Sequence, residues 1–303
     1  MNASVTVTFW GVRGSHPAPG PQTAHIGGNT SSIEVRAGNH LIILDAGTGI
    51  IELGRKLAAQ SRAENKAVTA TLLFTHTHHD HTQGFPFFVP AFSPNSTFYI
   101  FGPKTLHQDL EEVLSRTMMP PVFPITLEEL PCERLVRNLH EGEVIILNSE
   151  DSEPHVLRAG RDEIPHSPDL VNIRVMRSYA HPQGVFIYRI EYGGKALVLA
   201  TDVEGYIGGD QRLIRFARGA HLLIHDAQYT DTEYKNPNAP RQGWGHSTWQ
   251  MAVEVAQAAG ADRLALFHHD PVHTDDMLAR AEREAQVVFP GAIMACERLT
   301  IEL

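Results

Sequence analysis

Alternating apolar and polar positions predict strands over 4–10 and 31–36, separated by a Gly/Pro-rich loop over 11–30. A third apolar run, 41–44, ends in Asp45-Ala46-Gly47-Thr48-Gly49. Helical spacing follows over about 50–60, then a continuous apolar run at 70–74 that predicts a buried strand. A strand over 97–101 and an amphipathic helix over 105–116 complete the first part, and 117–170, rich in prolines and charges, yields no element. Beyond it the pattern sharpens. Strands are predicted over 172–177, 185–192, 195–200, 222–224, 264–267 and 293–297, and helices over 210–218, 247–259 and 274–286. Tyr192-Gly193-Gly194-Lys195 reads as a hairpin turn.

Hairpins first and β/α alternation later predict an α/β fold of two mixed sheets with helices outside. No Gly/Ser-rich linker divides the 303 residues, so a single domain of two similar halves, roughly 1–170 and 171–303, is expected. No stretch approaches the roughly 18 apolar residues of a membrane span, and residues 1–15 lack the basic start and apolar centre of a signal peptide. Cys132 and Cys296 form no metal spacing and no disulfide framework, which predicts reduced thiols and a cytoplasmic location. The net charge of −10 argues against long nucleic acid as a partner, and no membrane partner is expected. The apolar segments of 85–101 suit either a pocket wall or a homodimer interface.

Eighteen histidines change the picture, because they are clustered. The segment Leu73-Phe74-Thr75-His76-Thr77-His78-His79-Asp80-His81 puts four of them and a carboxylate at the end of an apolar strand. Protonated imidazoles so close would repel one another, and a metal removes that cost. His76 and His78 share a face while the strand geometry persists, and Asp80 and His81 follow after the chain turns. His79 fits neither alternation. Imidazole and carboxylate donors without thiolate suit Zn²⁺, and also Mn or Fe.

This His-x-His-x-Asp-His pattern resembles the metallo-β-lactamase superfamily, whose fold is an αββα sandwich. The resemblance extends to His181 after a strand, Asp202 at the end of Leu197-Val198-Leu199-Ala200-Thr201, and His268-His269 after Leu264-Ala265-Leu266-Phe267. It implies two divalent metal ions, zinc by default. His76, His78 and His181 would hold one, Asp80, His81 and His268 the other, and Asp202 would bridge them. His268 is preferred to His269 because it continues the strand. Asp45 resembles an early Asp-x-Gly element that orients a ligand histidine. The implied chemistry is hydrolysis by a hydroxide bridging the metals, with Asp80 helping to orient it.

The branch is suggested by three further stretches. Asp226 follows the apolar run 222–224 and His225, His246 precedes Ser247-Thr248 at a helix start, and Gly27-Gly28-Asn29-Thr30-Ser31-Ser32 lies early. Together they resemble the phosphodiesterase branch that includes tRNase Z, which usually has Glu where Asp226 stands. In this reading Asp226 orients His246, which protonates the leaving oxygen, and the helix opening at Ser247 points its N-terminus at the phosphate. Phe85, Phe87, Phe88 and Trp244 are candidates for base stacking, and Arg13 or His16 for substrate contact. The acidic chain, lacking a basic glycine-rich arm, favours a small phosphodiester such as a cyclic nucleotide or a short oligonucleotide. The alternatives are an RNA 3′-processing endonuclease, a hydrolase of lactones, β-lactams or thioesters, and a non-enzymatic binding module.

Overall fold

A computed structural model describes residues 4–105, 108–151, 153–206 and 208–303. The first alternating segments become strands β1 (Val5–Gly11), β2 (Ser32–Ala37) and β3 (His40–Leu44), an antiparallel meander. Helix α1 (Gly49–Glu64) carries the chain to β4 (Thr69–Leu73), parallel to β3. The histidine-rich segment forms the one-turn helix α2 (His79–Thr82), followed by β5 (Thr97–Pro103), helix α3 (Leu110–Thr117) and β6 (Glu133–Leu139). The helix expected from 105 thus starts at Leu110, where Asp109 and Glu112 form a capping box; residues 106–107 lie outside the described ones.

The unreadable stretch also contains β7 (Glu143–Leu147) and β8 (His155–Arg158). Then come β9 (Val171–Ser178), β10 (Val185–Tyr192), β11 (Lys195–Ala200), α4 (Gln211–Phe216), β12 (Leu222–Asp226) and the short α5 (Asp231–Tyr234). Helix α6 (Trp249–Ala259), β13 (Leu264–Phe267), α7 (Asp275–Val288), β14 (Ala292–Met294) and β15 (Thr300–Glu302) close the chain. The predicted Gly-Gly turn joins β10 to β11, with both glycines at positive φ.

One sheet has the order β15-β1-β2-β3-β4-β5-β6, the other β14-β13-β12-β11-β10-β9-β7-β8. Each contains a run of two antiparallel and then three parallel pairings, β1 to β6 and β9 to β14. The sheets do not divide at residue 170, however. β7 pairs with β9 and β8 with β7, and β15 returns to β1, because the strand expected over 293–297 stops at Met294 and a turn through Arg298 reverses the chain.

The sheets pack face to face with helices on both outer surfaces, which is the αββα sandwich. Residues alternate between layers: Val5, Val7 and Phe9 face the core between the sheets, whereas Trp10 packs under α1. Ile42 and Leu44 join that inner core, while Leu41 and Ile43 join the outer one. Both faces of β3 are therefore buried, which is why it reads as a continuous apolar run. A third cluster fills the space between the second sheet and α4, α6 and α7. The sheets are also tied by hydrogen bonds: Phe186 N donates to Thr75 O at 2.8 Å and Tyr188 OH to Phe74 O at 2.7 Å, directly beneath the histidine cluster. No helix among the described residues is long and apolar enough to cross a membrane.

Candidate metal centre

The chemistry-bearing residues collect at one edge of the sandwich, where β3, β4, β11, β12 and β13 end. Asp45 follows β3, His76 follows β4, His181 lies between β9 and β10, Asp202 follows β11, Asp226 ends β12 and His268 follows β13. Carboxyl ends of parallel strands are where α/β sheets place ligands. Three of these residues, Asp45 (φ 59°), Asp202 (φ 53°) and His268 (φ 62°), occupy the left-handed region, which turns the chain sharply at the strand end. Two glycines permit the close approach of other segments. A Cβ on Gly14 would lie 2.4 Å from the His268 ring, and one on Gly245, at φ 89°, would lie 2.2 Å from His181 Nδ1.

Among the described residues, donor atoms of His76, His78 and His181 lie within 4.8 Å of one another, as do those of Asp80, His81, Asp202 and His268. Asp202 stands between the groups. Its Oδ2 is 3.7 Å from His76 Nε2 and 3.9 Å from His181 Nε2, while its Oδ1 is 3.2 Å from His81 Nε2 and 3.3 Å from His268 Nε2. Asp80 Oδ2 lies 3.2 Å from His268 Nε2 and 3.4 Å from His81 Nε2. Donors around a tetrahedral Zn²⁺ at 2.0–2.1 Å are separated by about 3.4 Å, so these spacings fit metal coordination.

The tautomers fit as well. His81 donates from Nδ1 to Asp45 (2.8 Å), His268 from Nδ1 to the Gln228 amide oxygen (2.9 Å), and His181 from Nδ1 to Gly245 O (3.1 Å). Each is left with a lone pair on Nε2. Thr75 Oγ1 spends its proton on Asp45, so His76 donates from Nδ1 to Thr75 and its Nε2 is bare, buried and unpartnered. His78 meets His181 Nε2 through Nδ1 at 3.0 Å. Inward-facing lone pairs only 3.3 Å apart, as between His81 and His268, repel unless a cation lies between them.

Electrostatics point the same way. Burial holds His76 well below the ordinary imidazole value, and holds His181 at about 4, so both are neutral donors near pH 7. Burial would also lower His81, but Asp202, Asp80 and Asp45 outweigh it and push it well above the ordinary value. Burial would raise Asp80 and Asp202; the surrounding imidazoles hold both far below the usual carboxylate range. The pocket demands positive charge.

Asp226 and His246 form a separate unit. Asp226 Oδ2 accepts from His246 Nδ1 (2.8 Å) and Asp202 N (3.1 Å); Oδ1 accepts from Ser247 N (2.8 Å) and Gln228 N (3.2 Å). Four hydrogen bonds fill the lone-pair sites of a carboxylate. Donor atoms of these two residues, Asp202 and His268 also lie within 4.8 Å of one another, but Asp226 has no lone pair free for a metal. Burial would lower His246, yet the Asp226 carboxylate, aided by Asp202 and Asp80, raises it to about 9.

The sequence profile of the beta-lactamase superfamily domain matches residues 40–269, most of the chain. The chain belongs to the metallo-β-lactamase superfamily. It is a metal-dependent hydrolase of that fold. Among its relatives, the ribonuclease Z of Myxococcus xanthus is 26% identical, with 94% of this chain and 95% of that protein aligned. Two solved structures share its fold. The metallo-β-lactamase fold protein YhfI of Bacillus subtilis has a TM-score of 0.65 at 20% identity, covering 99% of this chain and 100% of that one. The short form of human tRNase Z has a TM-score of 0.59 at 22% identity, covering 98% of each.

Within this superfamily hydrolase, several expected contacts fall elsewhere. Arg13 is fully buried and structural: its guanidinium donates to Gly27 O, Asp270 O and His273 O. His16 is exposed, with its Nδ1 against Pro17 O rather than toward the cluster. The loop instead reaches the cluster through a backbone group, Ser15 N to Asp80 Oδ2 at 2.7 Å. His79 is exposed, and His269 is buried with Nε2 on Ala295 O, so His268 alone of its pair faces the cluster. Phe85 and Phe88 are core residues beneath α1, whereas Phe87 and Trp244 are half exposed. Helix α6 starts at Trp249 behind the N-cap Thr248, and the Ser247 N–H is spent on Asp226, so it is not free for a phosphate.

Two residues escaped the sequence reading. Gln228 fixes the His268 tautomer. Glu204 accepts from Gly243 N (2.8 Å), Gly245 N (2.9 Å) and Tyr234 OH (2.5 Å), pinning the turn that presents Gly245 O to His181 and His246 to Asp226. Glu204 lies two positions after Asp202, the nearest thing to a signal.

Proposed function

We propose that this hydrolase is a dinuclear phosphodiesterase acting on small phosphodiesters, cyclic nucleotides or short oligonucleotides. The observation that carries it is the saturated Asp226 beside His246 at the edge of a cluster whose Asp202 presents one oxygen to each donor group. Divalent cations bound there, zinc by default or Mn or Fe, would supply a water nucleophile at neutral pH and offset charge on phosphoryl oxygens. The residues take the following roles. His76, His78 and His181 hold one cation, Asp80, His81 and His268 the other, and Asp202 spans both. Asp80, held by Ser15 N, also orients the attacking water. Asp226 commits His246 Nδ1, so the proton His246 gives to the leaving oxygen comes from Nε2. Protonated near pH 7, it is ready as an acid. Near full-length similarity to ribonuclease Z supports phosphodiester cleavage over lactone, thioester or β-lactam hydrolysis.

A second reading is RNA 3′-end processing, favoured by the near full-length similarity to ribonuclease Z. The net charge of −10 supports the smaller substrate, since gripping folded RNA needs phosphate-neutralising cations. The free thiols Cys132 and Cys296 suit a reducing, cytoplasmic setting. The half-exposed Phe87, Val89 and Phe92 supply a surface for a homodimer, and a monomer mass by light scattering would remove that part of the reading.

Purified protein is expected to carry about two metals per chain and to hydrolyse cyclic and dinucleotide substrates in preference to a tRNA precursor with a 3′ extension. His78→Ala and Asp202→Ala should lose metal and activity together. His246→Ala should slow turnover by roughly 10²–10⁴-fold with metal content intact. Preferential cleavage of the precursor would replace the small-substrate reading with RNA processing, and metal loss in His246→Ala would sink its assigned role.

A further inference from the structure

Beside His181 the surface opens into a groove of about 620 Å³, a volume within the range of small-ligand sites. Its walls include Tyr179, Pro182, Gly205, Tyr206 and Tyr234. Tyr179 is 71% exposed and Tyr206 52%, large aromatic faces to leave in water beside a buried centre. Neither is required by the core. Tyr179 is braced by the Arg177 guanidinium, 5.3 Å from its ring centroid, and Arg177 Nη2 donates to Gln183 O on the same wall.

The electrostatic character of the lining is distinctive. Among the described residues lining it, the one ionisable side chain apart from His181 and tyrosine is Glu204, whose oxygens are occupied by Tyr234 OH, Gly243 N and Gly245 N. Among the described residues no lysine or arginine lines it, so it is not built to pair with a phosphate. Among the described residues no long aliphatic side chain lines it either, so they offer an acyl chain no matching wall. Exposed π faces and phenol groups suit a flat, uncharged heteroaromatic ring.

We propose that this groove is a nucleobase subsite. It takes the base of the nucleoside on one side of the scissile phosphodiester, stacked on Tyr179 and Tyr206, so that nucleotides are selected over simple aryl or alkyl phosphodiesters. This rests on the phosphodiesterase reading but is separable from it by experiment. Trp244, the aromatic singled out by sequence, does not line the groove; Arg241 stacks over it at 4.5 Å.

Calorimetric titration of the metal-replete protein with adenosine 5′-monophosphate and with ribose 5-phosphate reads the base directly. The nucleotide should bind more tightly. Tyr179→Ala and Tyr206→Ala should each weaken it roughly five- to hundred-fold while leaving ribose 5-phosphate unchanged, and the Phe variants should bind like wild type. In kinetics, the alanine variants should raise KM for thymidine 5′-(p-nitrophenyl phosphate) and leave kcat/KM for methyl p-nitrophenyl phosphate as it was. Equal binding of the two ligands, or nucleotide binding indifferent to both alanine changes, overturns the subsite even when both esters are hydrolysed. Base-dependent binding lost in the alanine variants, with neither ester hydrolysed, upholds the subsite and overturns the phosphodiesterase reading.

Discussion

Gln228 is uncharged and buried, yet it decides which nitrogen of His268 carries the proton. A residue that accepts a hydrogen bond from a ligand imidazole fixes ring orientation and basicity, and its loss typically costs 10–100-fold in metal affinity. Gln228→Leu is therefore expected to lower affinity by about that factor, read by competition with a chromophoric chelator, with the folded state retained by circular dichroism. Glu34 is a different case, far from the centre. Burial alone would raise its carboxyl, but hydrogen bonds and charge from Arg36, with Lys56 and Trp10 Nε1, hold it below the ordinary 4.5. A depressed carboxylate stabilises the fold above its unfolded value, and that contribution fades as pH falls through the folded one. Urea denaturation should find Glu34→Gln about 1–3 kcal/mol less stable at pH 7, with the gap closing below pH 4.5. A gap constant with pH would refute the assignment. Asp80, His81 and Asp202 were legible in the sequence because ligand chemistry leaves a spacing. Gln228 and the Ser15 amide were not, because a single uncharged acceptor and a backbone N–H leave none.

At the scale of elements, the turn over 243–246 shows how a loop is made to hold a centre. Glu204 fixes it from one side, and Gly245 lets it touch His181 from the other. Gly245→Ala would place a Cβ where the His181 ring lies and would hold alanine at φ 89°. The expected result is roughly 1–3 kcal/mol of lost stability from the backbone alone, together with reduced metal occupancy by elemental analysis. Glu204→Ala should lower occupancy too, and Glu204→Gln, which keeps one acceptor, should fall between. Most strands buried on both faces announced themselves as apolar runs, although β7, with Val144–Leu147 buried, went unread among the prolines and charges of 117–170. β6 and β8 went unread because polar side chains alternate with apolar ones and their burial is partial, and β15 is only three residues long. The helix from 105 was misplaced because periodicity does not locate a start that a capping box at Asp109 sets.

For the whole molecule, we read residues 1–303 as one metallo-hydrolase domain of two similar halves, supported by the matching run of pairings in each sheet. Calorimetry should then give a single cooperative transition, and two resolved transitions would refute it. The donor groups that could hold cations come from both sheets, so cations would bind the folded state in preference to the unfolded chain. At a free concentration 100-fold above Kd they add about 2.7 kcal/mol, and chelation should lower Tm by several degrees. The sandwich was legible because β/α alternation limits the arrangements available. The exchange of β7, β8 and β15 between halves was not, since partner choice between sheets depends on contacts that no local pattern encodes.

The left-handed backbone at Asp45, Asp202 and His268 has a consequence for anyone who would re-equip this centre. That region is tolerated by Asp, Asn and His far better than by other side chains apart from glycine. Replacing Asp202 or His268 with cysteine or glutamate, to recruit a softer or a redox-active ion, would burden the conformation as well as the coordination. The alphabet open to engineering at these strand ends is set by the peptide chain before the metal has any say.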